Sequence, residues 1–313
     1  MRSLIIPVYC NEESIPELLE ALCGLHVRTE ESLEVLFVVD GSPDRSYSVL
    51  RECLPDMPFA SQLLLHSRNF GSFAAIRSGL SAARGRHIAV MAADLQEPIE
   101  LIEQFYRALL RDEADVIVGT RSARTDPLGT RIASGLFWWL YRKLVQPEIP
   151  PGGVDVFACN QQFRNELLAM GEANSSLIGQ IFWLGMRRKA IPYARQPRRH
   201  GRSAWSLSRK LKYLMDSLFA FSDFPIRVLI MLGGFGLATA CILAFMVAGA
   251  RMLGLVEVPG YATTMVTLLF FGGLNVLSLG ILGAYIWRAY ENTKQRPLAV
   301  VQRLEEFDGV AQR

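Results

Sequence analysis

The sequence predicts an α/β protein: a mainly parallel sheet flanked by helices on both faces, followed by a C-terminal two-helix transmembrane hairpin. Two observations carry this. Through the first 125 or so of 313 residues, short apolar runs alternate with helix-like runs, the pattern of βαβ units. Further on, Val228–Ala250 and Ala262–Trp287 are 23 and 26 residues without a charge, each long enough to cross a bilayer of about 30 Å. Both are apolar all round, whereas the core helices of soluble proteins are amphipathic.

The elements of the head follow in order. Residues 3–8 (SLIIPV) read as a buried strand, with a helix opening near Glu12. Residues 34–39 (EVLFVV), 62–67 (QLLLHS), 87–92 (HIAVMA) and 115–120 (DVIVGT) supply four more strands. Helices fill the intervals, for example Phe73–Ala83 and Ile99–Leu110. In such sheets ligands bind beyond the carboxyl ends of the strands. The polar residues expected there are Asn11, Glu12, Asp40–Asp44, Asn69, Asp94–Glu97 and Arg121. Asp40, at a strand end, is followed by Gly41, where the backbone must turn, and by Ser42 and Asp44, acceptors of the capping type.

From Leu207, Leu211, Leu214, Met215, Leu218 and Phe219 recur at helical spacing with Arg209, Lys210 and Lys212 between them. This predicts an amphipathic helix lying in the headgroup layer. The short connector between the two spans, Arg251–Tyr261, carries Pro259 and Gly260 and a single basic residue, Arg251. Basic residues gather outside the hairpin, at Arg209, Lys210, Lys212 and Arg227 before it and Arg288, Lys294 and Arg296 after it. The positive-inside rule then places the head and both termini in the cytoplasm. The start of the chain gives no sign of a signal peptide, because the apolar run after Ser3 is short and ends in proline. Glycines 233, 236, 272, 273, 280 and 283 would allow close helix approach within the hairpin or between protomers, and Asn275 would act as an interhelical bridge.

Several classes are excluded. A formal charge of +3 does not suggest a nucleic-acid binder. The five cysteines are scattered, with no CxxC pair, which argues against structural zinc and a disulfide framework.

The segments IPVYCNEE, VDGSPD, SRNFGSFAAIRSGLSAARG, ADLQEP and VGTR occur in this order, followed by RIASGLFWWLY, PPGGVDVF and RRHGRSAW. The set resembles the GT-A glycosyltransferases of family 2, in the polyprenyl-phosphate (dolichol-phosphate mannosyltransferase-like) branch. Within it, the paired C-terminal spans are most similar to those of bacterial undecaprenyl-phosphate glycosyltransferases. The resemblance implies a Rossmann-like mixed sheet and inverting transfer of a sugar from a nucleotide-sugar, UDP-linked by analogy with bacterial members, to a polyprenyl phosphate. It divides the chain into a catalytic domain (1–205), an amphipathic interface helix (206–226), two transmembrane helices (227–288) and a cytoplasmic tail (289–313). The implied location is the inner membrane, multi-pass, and the implied product serves cell-envelope glycan or glycolipid modification. The implied partners are the nucleotide-sugar, the lipid phosphate, the membrane and further copies of the chain.

Residue by residue, the resemblance implies catalytic roles for Asp94, Gln96, Asp155 and Arg131. It implies nucleotide-sugar contacts from Pro7, Tyr9, Asn11, Glu12, Asp40, Asp94 and Arg121. Lipid-phosphate contacts would come from Arg131, Ser134, Arg198, Arg202 and Ser203. Asp94 would hold Mg²⁺ or Mn²⁺, with Glu97 and Asp155 as candidate second ligands. The chain departs from the family pattern at four positions. Ala92 and Val39 stand where acids are usual, Phe157 where an arginine is usual, and Ala204 where a lysine is usual, with Arg202 nearby as a substitute. The first two imply a weakened dependence on metal. Two alternatives remain open from the residues: a membrane-anchored transferase with a saccharide acceptor, or a weakened nucleotide-sugar-binding partner protein. Processive synthases carry more spans than two, which counts against the first.

Overall fold

The structure, a computed structural model, describes residues 1–29, 32–123, 135, 138–139, 141–150, 153–154, 156–197, 207–253 and 260–310. Its head is built on one eight-stranded sheet of order β7-β5-β6-β4-β1-β2-β3-β8. The first four strands are β1 (Arg2–Val8), β2 (Leu33–Val39), β3 (Ala60–His66) and β4 (His87–Val90). They pair in parallel with one another, so their carboxyl ends share one edge. β2 is buried along its whole length, as expected of a strand covered on both faces.

Alternate side chains feed two cores. Leu4, Ile6, Val8, Val35, Phe37 and Val39 pack on one face with α1 (Ile15–Arg28), α2 (Ser46–Cys53) and α4 (Ile99–Leu110). Ile5, Leu36 and Val38 pack on the other, with α3 (Ser72–Ala82), α5 (Gln161–Ala169) and α6 (Leu177–Trp183). Asn160 caps α5 through the Phe163 amide at 2.8 Å, and Ser176 caps α6 through the Gly179 amide at 3.1 Å. The buried carboxylate of Glu34 is satisfied across three segments, by the Ser3 hydroxyl (2.7 Å), the Gln62 amide (2.7 Å) and the Arg84 backbone (3.1 Å).

Beyond β4 the sheet becomes mixed. β5 (Val116–Ala123) and β4 both pair antiparallel with β6 (Phe157–Asn160), and β7 (Arg188–Ala194) runs parallel to β5. The five strands read from sequence are present, with β4 ending at Val90 rather than Ala92.

The C-terminal region departs from expectation. Residues 289–313 are read from sequence as a tail apart from the head, yet β8 (Val301–Phe307) joins the sheet antiparallel to β3. Glu305 accepts from the Tyr47 hydroxyl and pairs with Arg51, Glu306 pairs with Arg84, and the Val310 amide bonds to Met57.

The amphipathic helix is α7 (Leu207–Phe221). Part of its apolar face is covered by the head: Tyr213, Leu214, Leu218 and Phe221 pack on the second core. Phe221 lies so close to Gly179 that a Cβ there would come within 2.4 Å of its ring. The Tyr213 hydroxyl bonds to Ser176 at 2.7 Å and its ring stacks on Tyr141. The head supplies part of the apolar cover for half-buried Leu214 and Leu218, while Met215 of the same stripe is 39% exposed.

Two long helices follow, α8 (Phe224–Met252) and α9 (Tyr261–Thr293). Both contain stretches long and apolar enough to cross a membrane, Phe224–Leu243 and Phe270–Thr293. Their side chains are bare: Phe235 is 75% exposed and Val276 71%. Of the glycines named above, Gly236 meets the facing helix, where a Cβ would lie 3.2 Å from Phe271; around the other five there is open space. Asn275 is likewise exposed. At the lower end of α9, Arg288 pairs with Asp216 of α7 at 2.8 Å and lies over Phe219.

Candidate active site at the carboxyl edge of the sheet

Because β1–β4 are parallel, the segments that follow them (9–12, 40–45, 67–71 and 91–98) gather along one edge. The turn after β2 crosses the turn after β3 at close range. Gly41 has φ +57, and a Cβ there would stand 2.3 Å from the Arg68 carbonyl carbon. Only glycine meets both demands.

Asp40 is 3% exposed. Its carboxylate accepts from the Phe70 amide (2.9 Å), the Gly71 amide (2.7 Å) and His66 Nδ1 (2.8 Å). It therefore holds the 67–71 turn in place.

The turns after β1 and β2 are joined by a second network. The Ser42 hydroxyl accepts from the Cys10 amide (2.8 Å) and donates to Asp44 (2.6 Å). Asp44 also accepts from the Ser46 hydroxyl (2.8 Å) and the Glu12 amide (3.1 Å). Burial pushes the Asp44 carboxyl up, but the hydrogen bonds from Ser42, Ser46 and the Glu12 amide outweigh it and hold the group below its ordinary range. Asn11 accepts from the Tyr9 amide at 3.0 Å, and the Glu12 carboxylate binds the Arg45 amide (3.0 Å) and Nε (3.1 Å). The side chains of Asn11 and Glu12 thus brace the turn, while Pro7 and Tyr9 are half-buried beside it.

After β4, buried Met91 and Ala93 alternate with half-buried Ala92 and Asp94, so Ala92 and Asp94 face the opening. Asp94 Oδ1 accepts a long bond (3.4 Å) from the Gln96 amide, and the intervening Leu95 adopts a left-handed φ of 52°. Gln96 is turned inward. Its side chain donates to the Gln196 carbonyl (3.2 Å) and accepts from Arg195, while its carbonyl receives the Gln196 amide (2.9 Å). It clamps the chain leaving β7. Arg195 and Gln196 were not foreseen from sequence, and no motif marks them.

The departures from the family pattern fall into two kinds. Val39 and Phe157 are both buried in the cores, where a charge would need a partner to offset its desolvation. Ala92 is half-buried beside Asp94 and offers no oxygen ligand. Glu97 is only 2% exposed, whereas Asp94 is half-buried. Among the described residues no three His, Cys, Asp or Glu side chains form a metal-binding group. One carboxylate in the turn after β4 does fit a hard cation that would draw its remaining oxygens from a diphosphate and water.

Arg121 stands near the end of β5, opposite Tyr193 of β7. Arg131, Ser134, Asp155, Arg198, Arg202 and Ser203 lie outside the described residues. Val154 and Val156, on either side of Asp155, are buried.

Comparison with known proteins places this architecture. The model of glycosyl transferase family 2 matches residues 3–170, which contain all four edge segments. The chain belongs to that family, and it is a glycosyltransferase. It is 30% identical to an uncharacterized glycosyltransferase of Synechocystis, over 96% of this chain and 95% of that one. It is 29% identical to a prophage bactoprenol glucosyl transferase homolog of Escherichia coli, over 97% and 99%. It is 28% identical to the bactoprenol glucosyl transferase of Shigella phage SfII, over 96% and 97%. Among solved structures, glucosyl-3-phosphoglycerate synthase of Mycobacterium tuberculosis, crystallised with Mn²⁺, UDP and glucosyl-3-phosphoglycerate, aligns with a TM-score of 0.49. That alignment has 14% identity over 70% of this chain and 79% of the other.

Proposed function

We propose that the protein transfers a hexosyl group, with inversion, from a nucleoside-diphosphate sugar to the phosphate of a membrane polyprenol. UDP-glucose and undecaprenyl phosphate are the donor and acceptor to test. The observation that carries this reading is the end-to-end similarity to bactoprenol glucosyl transferases, which extends through both long helices as well as the head.

In the reaction, an acceptor phosphate oxygen attacks the anomeric carbon as the bond from that carbon to the donor diphosphate breaks. A phosphate monoester with a second pKa near 6 is already largely an anion at neutral pH, so no strong general base is required. The residues must hold two anions in line and offset the charge that develops on the departing diphosphate. A divalent cation held by Asp94 would supply part of that neutralisation. Arg121 and the 67–71 turn, with exposed Arg68 and Asn69, would bind the donor beside it. We assign the acceptor phosphate to Arg131, Ser134, Arg198, Arg202 and Ser203, and an active-site carboxylate to Asp155. Gln96 acts through the segment that leads to 198–206. Where head and helices meet, a cleft of ≈ 480 Å³ is lined by Lys143, Leu144, Phe221, Ile226 and Tyr285 among others. Its apolar wall suits isoprenoid units.

We further infer that α8 and α9 cross the inner membrane with the head and both termini in the cytoplasm. An even number of crossings agrees with the return of β8 to the sheet of the head. The bare glycine-bearing faces of α8 and α9 suit packing between protomers.

The test offers the full-length protein a panel of UDP- and GDP-hexoses with undecaprenyl phosphate in lipid nanodiscs, followed by extraction of the lipid. A hexosyl-phosphoryl lipid formed from UDP-glucose is expected. Sugar transferred only to a saccharide, or donor bound without turnover, would overturn the reading in favour of a saccharide-acceptor transferase or a binding partner, respectively.

A further inference from the structure

We propose that His66 is a positioning residue for the donor site: it links Ser78 of α3 to the Asp40 carboxylate and so fixes the turn at 67–71. This rests on the donor reading above.

His66 ends β3, and its side chain is fully enclosed. Both ring nitrogens are engaged, Nδ1 with Asp40 Oδ1 at 2.8 Å and Nε2 with Ser78 Oγ at 2.9 Å. An ionised carboxylate only accepts, so Nδ1 carries the proton toward Asp40; in the neutral ring Nε2 then accepts from the Ser78 hydroxyl. The partners assign this tautomer. Asp40 also accepts from the amides of Phe70 and Gly71.

The same turn is fixed at three further points. The Phe70 ring meets the imidazole edge-on, with centroids 5.7 Å apart. The Arg68 guanidinium lies 4.0 Å over the Phe70 ring. The Ser67 amide bonds to the Val300 carbonyl, just before β8, at 3.0 Å. The turn leads directly into the N-terminus of α3, whose dipole favours a nearby anion. Arg68 and Asn69 are exposed at the sheet edge, with the Arg68 guanidinium over Phe70 and bonded to the Asn69 carbonyl at 3.2 Å. The chain from Ser78 to Asp40 therefore ends on backbone that presents a cation and a polar side chain toward the place assigned to the diphosphate.

Ser, His and Asp in this geometry could suggest a nucleophile. Ser78, however, lies mid-helix in α3, where neighbouring backbone amides are used within the helix and none is left to stabilise an oxyanion. The imidazole is closed to any substrate. Its role is to orient Asp40.

The test uses full-length protein in nanodiscs and measures UDP binding by titration calorimetry, together with separate KM values for UDP-glucose and undecaprenyl phosphate. His66→Ala should weaken UDP binding and raise the donor KM about ten-fold, the scale of one hydrogen bond to a charged group, with the lipid KM unchanged. His66→Asn places an amide N–H near the Nδ1 position and should recover most of the loss, which a packing role alone would not allow. Ser78→Ala should weaken UDP about three-fold, as expected of a single neutral hydrogen bond. If His66→Ala does not fold, Ser78→Ala and His66→Asn decide: UDP affinities ordered wild type, His66→Asn, Ser78→Ala support the proposal, and equal affinities overturn it. If wild type binds UDP and His66→Ala binds it equally well, the proposal fails while the donor reading stands. Wild-type protein that binds no UDP would sink the donor reading, and this inference with it.

Discussion

The carboxyl edge of the sheet and the paired helices are held together by opposite means. At the edge, Asp40 and Asp44 each collect several donors, and turns from three different strands are fixed to one another. On α8 and α9, by contrast, the described side chains are largely apolar and bare, and Gly236 meets Phe271 between them. The first region is preorganised by its own hydrogen bonds, as a site for anion chemistry must be. The second needs a surrounding medium to cover it. α7 joins the two: Tyr213, Leu214, Leu218 and Phe221 pack on the head, while Asp216 and Phe219 receive Arg288 from α9.

The largest expected effect is at the edge. Asp94→Asn should leave the melting temperature unchanged, since the side chain is half-buried at a strand end. Turnover should fall about 100-fold, the scale of a lost electrostatic stabiliser. Initial rates with added Mg²⁺, Mn²⁺ or EDTA check this, and wild-type rates in the variant would remove Asp94 from the metal assignment. A somewhat smaller loss, about 30-fold in kcat/KM for the lipid, is expected for Arg131→Ala. Arg131→Lys should keep part of the activity, because lysine retains the charge without the fork.

At the junction, Leu214→Ser combined with Leu218→Ser should destabilise the head by roughly 2 kcal/mol, because the lost burial is within the protein. A helix that merely floated in lipid would instead lose activity on long-chain acceptor with an unchanged melting temperature. Removing residues 299–313 takes away β8 and the Val300 contact to Ser67. A fall of about 5 °C in melting temperature is expected on the usual scale for a chain of this size; donor binding should weaken with it.

The smallest effect concerns pH. The folded Asp44 carboxyl lies below its ordinary range, so its stabilising contribution is complete above the unfolded value and is lost as pH falls through the folded one. Asp44→Asn should therefore melt below wild type at neutral pH, with the gap closing below about pH 4. A gap independent of pH would assign the effect to packing.

The sequence shows the two regions unequally well. β1 to β5 are continuous apolar runs bounded by polar turns, so period and composition alone locate them. β6 has four residues, too few for a period to register. β7 and β8 carry charged, largely exposed side chains, because they lie on or near the sheet's edges, where one face or one side meets water. At the site, Asp40 and Asp94 announce themselves as acids at strand ends. What each carboxylate does was not legible, since Asp40 meets His66, and His66 meets Ser78, only through sheet packing. Likewise the stripe on α7 has the period of any amphipathic helix, and period does not say whether head or lipid covers it.

The most direct test of the account is the rate of label transfer from UDP-[¹⁴C]glucose into butanol-extractable lipid, with undecaprenyl phosphate supplied in nanodiscs. Wild-type protein should transfer label only when the lipid phosphate is present, and faster with a divalent cation than with EDTA; Asp94→Asn with cation should reach about one-hundredth of the wild-type rate. No labelled lipid with wild type from any nucleotide-sugar, or equal transfer by the two proteins, would contradict it.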